Sequence, residues 1–190
     1  MSAISTLNAT PEDRAGLMAD AADMLRAAIQ FQGVAALVST REHAARHEAG
    51  HTILHKVEGN RVLSVEVYPR GKDWLGKTNT GKRWRVDHDT DPQADLAQIR
   101  VLLAGPFSEY WYCANPAYGA GVDELALARR IASTVAFKLG VDFQALLLNA
   151  IADTWHTIAR HRSAFDAVTA TLLIRKKVKG FELLRLLRDV

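Results

Sequence analysis

Apolar residues recur along this chain first at helical spacing, then in alternation, then at helical spacing again. Ala15, Met18, Ala22, Leu25 and Ile29 mark one face of a helix. Thr10, Pro11, Glu12 and Asp13 open it as an N-cap, a proline at the first helical position and acids in the first turn. Gly33 interrupts it. Ser39 and Glu42 then stand three apart, as a capping box opening a second helix over 41–56 that Glu58, Gly59 and Asn60 end. From 61 to 68 the pattern changes to period two, with Leu63, Val65 and Val67 set against Ser64, Glu66 and Tyr68, which predicts a strand. Pro69, Arg70 and Gly71 turn the chain, and a second short extended piece over 74–78 ends at Asn79, Thr80 and Gly81.

The rest reads as helix. Asp91 and Pro92 cap a helix from about 93 through Ile99, Leu102, Leu103 and Phe107 to Tyr112. The alternate aspartates 87, 89 and 91 resemble the opening of a calcium loop, but Pro92 replaces the turn glycine and Gln98 the closing glutamate, so calcium is excluded there. A Gly, Pro and Asn-rich loop over 114–121 leads to Asp123 and a helix through Ala126, Ile131, Val135 and Phe137 that stops near Gly140. Two more follow: one from Asp142 with Leu146, Leu147, Ile151 and Trp155, and one from Ser163 to about Lys176. The predicted fold is mainly α with a small β-ribbon, one domain over 39–190 preceded by a helical extension over 1–38.

Within the second helix lies His47-Glu48-Ala49-Gly50-His51, an HExxH motif. Residues four apart share a helix face, so His47 and His51 can send two imidazoles to one metal while Glu48 stands beside it. Zinc in catalytic sites takes three protein ligands and leaves the fourth position to a water that Glu48 can deprotonate. The ladder is longer than the motif, since His43 and His55 continue the four-residue spacing, but only His47 is followed by a glutamate. His156 and His161 lie on helix surfaces and carry no chemistry.

Composition is that of an ordinary globular protein: 190 residues, 48% apolar, 24% charged. One cysteine, Cys113, excludes an internal disulfide and most thiolate zinc sites. No run reaches the roughly 18 apolar residues of a membrane span and the start has no signal layout, so a cytoplasmic setting is expected and no membrane partner. Net charge is +3, concentrated in two basic stretches: six Lys or Arg against one Asp over 70–85, and eight against three acids from 160 to the end. Such stretches are more often solvated faces than nucleic-acid sites, and nucleic acid is not an expected partner.

HExxH supplies two ligands, and the third is not given by composition. A metzincin extension would need Gly at 54 and His at 57, where this chain has Leu54 and Val57. The nearest acids, Glu58 and Glu66, fall in a turn and a strand. Glu109, Asp123 and Glu124 remain as candidates.

HEAGH followed by RVLSVEVYPRG, WLGKT, VLLAGPFSEYW and GAGVDELALARRIA resembles the peptidase domain of the FtsH-type ATP-dependent zinc proteases, and VTATLLIRKKVKGFELLRLL resembles that domain's last two helices. The resemblance covers roughly 40–190. It implies a zincin-like metalloprotease domain in which an aspartate, here Asp123, joins His47 and His51 as the third Zn2+ ligand, in a pattern that runs Gly-Ala-x-x-Asp-Leu. It also implies that Glu109 supports the zinc ligands from behind, and that Leu75, Gly76, Lys77 and Thr78 form a substrate-binding edge. Lys77 stands where the family has an aromatic. Gly71 to Thr78 match the letters of GxxxxGK[ST], but the flanks run strand to strand with no helix following, so no phosphate loop is expected there. With no membrane anchor either, the expected substrates are flexible or unfolded polypeptides, with a separate ATPase or adaptor as partner for anything folded. The expected activity is zinc-dependent peptide hydrolysis with Glu48 as the base. The competing expectation is a non-catalytic, zinc-binding regulatory or interaction module, against which the presence of Glu48 counts, because a structural zinc site has no use for a base.

Overall fold

In a computed structural model of the chain, the described residues are 38–81, 91–113 and 121–190. The helix expected from 11, the extension up to 37, the aspartates 87 and 89 and the loop 114–120 lie outside them.

The motif helix, α1 (Arg41–Val57), opens one residue later than the capping box expected at Ser39 and Glu42. Thr40 is the N-cap: its Oγ1 accepts from the His43 amide at 3.2 Å, and His43 Nδ1 accepts from the Thr40 amide at 3.1 Å. The first histidine of the ladder is thus used to close the helix start. Ser39 is drawn elsewhere, its amide donating to Asp73 Oδ1 at 3.1 Å and its carbonyl accepting from the Trp74 amide at 3.0 Å. At the other end Gly59, at φ 74°, lets the amides of Gly59 and Asn60 fold back onto the carbonyls of Lys56 and His55, a Schellman closure.

Strands β1 (Val62–Arg70) and β2 (Asp73–Thr80) form an antiparallel hairpin with Arg70 opposite Asp73. A short strand near the C-terminus, β3 (Lys177–Lys179), adds to the other side of β1, giving the order β2-β1-β3. Its three residues, two of them lysines, are too short and too charged to show a strand pattern, and only Val178 is buried. The alternation in β1 holds for Val65 and Val67 but not for Leu63, which is exposed. A register shift between Val62 and Ser64 turns Leu63 outward and places Val62 on the core side instead.

Four further helices complete the described chain: α2 (Pro92–Tyr112), α3 (Val122–Leu139), α4 (Phe143–Arg160) and α5 (Arg162–Arg175), with a short α6 (Gly180–Leu186) after β3. Asp91 caps α2 and Asp142 caps α4 through their side chains, as their positions predict. The architecture is mainly helical with a three-stranded antiparallel sheet. No helix among the described residues is long and apolar enough to cross a membrane.

Two apolar clusters share α2. One joins α1, the inner face of the sheet, α5 and α6 around Ile53, Val65, Phe165 and Leu172. The other joins α2, α3 and α4 around Leu103, Phe107, Ile131 and Ile151. Val101 and Ala104 of α2 enter the first, while Ile99, Leu103 and Phe107 enter the second, so this helix is packed on both sides. Fully buried side chains such as Phe107 and Phe165 are each worth about 1.5–3 kcal/mol in removal from water. Together they fix α2 against α1 on one side and α3 on the other. Phe137, expected on the buried face of α3, is 89% exposed. A two-residue step from buried Val135 carries it about 200° around the helix axis.

Candidate metal centre

His47 and His51 occupy successive turns on the face of α1 that meets α2. Their Nε2 atoms lie 2.9 Å apart. A carboxylate from α3 closes the group: Glu124 Oε2 is 3.0 Å from His47 Nε2 and Oε1 is 3.0 Å from His51 Nε2. Ligand atoms of His47, His51 and Glu124 all fall within 4.8 Å of one another.

The acid that meets the imidazoles is Glu124, and Asp123, the expected third ligand, is not in this group. Asp123 is exposed in the first turn of α3. The helix face decides between them. Glu124 is followed at four, seven and eleven residues by Ala128, Ile131 and Val135, all buried, whereas Asp123 is followed by Arg130 and Thr134, both exposed. A second signal was present in the sequence. The family pattern places leucine directly after the ligand acid, and in this chain Leu125 follows Glu124.

The back of each ring fixes its tautomer. His51 Nδ1 lies 2.9 Å from the Val101 carbonyl, and His47 Nδ1 lies 2.6 Å from Glu109 Oε1. A carbonyl can only accept, and so can an ionised carboxylate, so each ring carries its proton on Nδ1. Two Nε2 lone pairs and a carboxylate then face one another at about van der Waals contact or less. Three electron-rich groups at these distances repel unless a proton or a metal cation lies among them. The donor set, two neutral imidazoles and one carboxylate with orienting acceptors behind, is one that zinc takes, so the residues fit that metal. Glu124 Oε2 is buried with His47 Nε2 at 3.0 Å and no well-aligned hydrogen bond, which suits an oxygen that takes a cation.

The local electrostatics agree with a cation site. Burial would lower the pKa of His47, but the carboxylates of Glu124 and Glu109 offset it and hold it well above the ordinary histidine value. His51 is likewise raised, burial being outweighed mainly by Glu124. Against its own burial, Glu124 is held far below the usual carboxylate range by His51 and His47. Further along the ladder His55 is pushed down to about 4 by burial and by the neighbouring His51. The cluster attracts positive charge and the fourth histidine stays neutral behind it.

Glu48, the base expected from the motif, sits between α1 and the inner side of β2 and is buried. Burial raises its pKa, with His51, His47 and the Thr78 hydrogen bond pulling the other way. Of the four residues expected to form a substrate edge, Gly76 and Thr78 lie opposite the buried Val67 and Val65 of β1 and face α1, while Leu75 and Lys77 alternate away from it. Thr78 Oγ1 donates to Glu48 Oε2 at 2.7 Å. On the other wall, a side chain at Gly105 of α2 would overlap both Nε2 atoms, so only glycine lets that helix lie against the imidazole pair. The sequence pattern carried no sign of Val101 O as a partner, since a backbone acceptor has no residue signature.

No protein-family model matches the chain. Among curated proteins, the ATP-dependent zinc metalloprotease FtsH of Opitutus terrae is 25% identical over 173 residues, an alignment covering 75% of this chain and 28% of that protein. The similarity is distant, and the chain spans little more than a quarter of the length of that relative.

Proposed function

We propose that this chain is a zinc-dependent metallopeptidase that hydrolyses peptide bonds in flexible or unfolded polypeptides. The observation that carries this is the convergence of two imidazole lone pairs and the Glu124 carboxylate beside a buried glutamate. His47, His51 and Glu124 would hold the ion, leaving a fourth position open as catalytic zinc sites do. When bound, zinc supplies Lewis-acid polarisation and makes a water acidic enough to be deprotonated near neutral pH.

The chain's own side chains do the rest. Glu48 takes a proton from the attacking water as its oxygen bonds to the peptide carbonyl carbon, then passes that proton to the amine nitrogen as the C–N bond breaks. Its raised pKa brings it nearer to neutrality than an exposed carboxylate, which suits a group that must both take and give a proton. Glu109 and the Val101 carbonyl hold the imidazoles in the one tautomer that turns lone pairs inward. Along β2, residues 75–78 offer an extended strand against which a substrate chain could pair. The distant similarity to a protein named as a zinc metalloprotease supports the same chemistry.

Metal analysis of the purified protein, paired with digestion of unfolded casein with and without a chelator, tests the proposal. The expected result is roughly one zinc per chain, with cleavage lost on chelation and restored by zinc. Cleavage that survives complete metal removal overturns it.

A further inference from the structure

Glu48 belongs to α1, yet its carboxylate is held by β2. Two successive inward positions of that strand touch it. At Gly76 a Cβ would overlap Glu48 Cγ and come within 2.6 Å of Oε1 and 2.7 Å of Cδ, so the strand must be bare there for the glutamate to fit. At Thr78 the strand supplies a hydroxyl 2.7 Å from Oε2. Among the described residues Oε1 has no hydrogen-bond partner. The two carboxylate oxygens are thus unlike each other.

Thr78 Oγ1 has a single proton and three oxygens within reach: Glu48 Oε2 at 2.7 Å, the Glu48 carbonyl at 3.3 Å and Thr52 Oγ1 at 3.4 Å. Thr52 settles where that proton goes. Its own hydroxyl donates to the Glu48 carbonyl at 2.7 Å, well inside the 3.3 Å of Thr78, and the Thr78 proton goes to its nearest acceptor, the carboxylate oxygen at 2.7 Å. A hydrogen bond from a hydroxyl to a charged, buried oxygen is among the stronger ones available to a side chain.

Resting on the peptidase reading, we propose that Thr78 is the positioning residue of the glutamate base. It pins Oε2 and leaves Oε1 as the oxygen that takes the proton. In the reaction the O–H bond of the attacking water breaks and an O–H bond forms at Oε1; the same proton then moves to the leaving amine nitrogen as the C–N bond breaks. A carboxylate free to turn would present either oxygen, and the pinned one presents a single oxygen in a fixed direction. The strand proposed to bind substrate therefore also aims the base.

The test compares wild type, Thr78→Val and Thr78→Ser, all zinc-loaded, on unfolded casein. Thr78→Val keeps the shape and loses the hydroxyl. It is expected to lower kcat about 10–100-fold with KM within about threefold and zinc content unchanged, and Thr78→Ser is expected to restore most of kcat. Full kcat in Thr78→Val, or no rescue by serine, overturns the assignment while leaving the peptidase reading intact. Wild type that does not cleave overturns both. Should Thr78→Val not fold, Thr78→Ala read against Thr78→Ser gives the same division between kcat and KM. A readout independent of turnover is the melting temperature of the metal-free protein. Thr78→Val should lower it more when residue 48 is Glu than in a Glu48→Met background, and an equal drop in both overturns the contact.

Discussion

The two walls of the candidate metal centre are made in different ways. One wall is α1 with β2 against it. It holds both imidazoles and the glutamate base within five consecutive residues, and the strand that touches the base follows the helix by a short hairpin. The other wall is α2 and α3, which contribute Val101 O, Glu109 and Glu124 from far along the chain; His51 meets Val101 across 50 positions and His47 meets Glu109 across 62. On the proposed reading the near wall would carry the proton chemistry, and the far wall would complete the metal site and set ring orientation. Substitutions should therefore separate the two tasks.

The largest effect is expected on the near wall. Glu48→Gln keeps the side-chain volume and removes the base, so turnover should fall about a thousandfold while zinc stays bound. Casein digestion beside metal analysis reads both quantities, and loss of zinc in this variant would break the division of labour. On the far wall, Glu124→Ala should weaken zinc binding by more than about 100-fold, whereas Asp123→Ala, one residue away on an exposed face, should change it by no more than about twofold. Competition with a zinc-binding dye distinguishes the pair, and the reverse ranking would return the ligand role to Asp123.

A smaller step is expected one layer further out. Glu109→Gln preserves a hydrogen-bond acceptor but removes the charge behind His47, and should cost about 10–100-fold in zinc affinity. Isothermal titration with zinc at fixed pH would measure it. Smallest is the opening of α1. Thr40→Ala should cost about 1 kcal/mol in stability by removing the cap, while Ser39→Ala should stay within about 0.5 kcal/mol because only its backbone is engaged. Thermal melts of the two variants would show whether the cap sits at 40.

Each of these contrasts also marks where local reading of the chain stops. The order of strand, turn and helix was visible because it depends on residues within a few positions of one another: Asp91 and Asp142 as caps, Gly59 and Gly140 as helix ends, Val65 and Val67 as an inward pair. Where it failed, a neighbour from elsewhere had intervened. Ser39 is taken by the start of β2, which moves the cap to Thr40. A shift in pairing turns Leu63 out of the core. β3 exists because β1 offers an edge, with little in its own three residues to announce it. That Glu124, and not Asp123, shares the buried face of α3 was legible in the apolar spacing, whereas the family pattern, read by position alone, points to the residue before it.

By itself the sequence determined that two histidines and a glutamate would lie on one helix, since spacing along a single helix is a local geometric fact. It also limited the missing ligand to three acids. Only the tertiary structure decided which acid arrives and which backbone carbonyl fixes the second ring. The same holds for the strand hydroxyl that grips the base. These depend on how α2, α3 and β2 pack against α1, and packing is set by the summed burial of two apolar clusters rather than by any residue's neighbours in the chain.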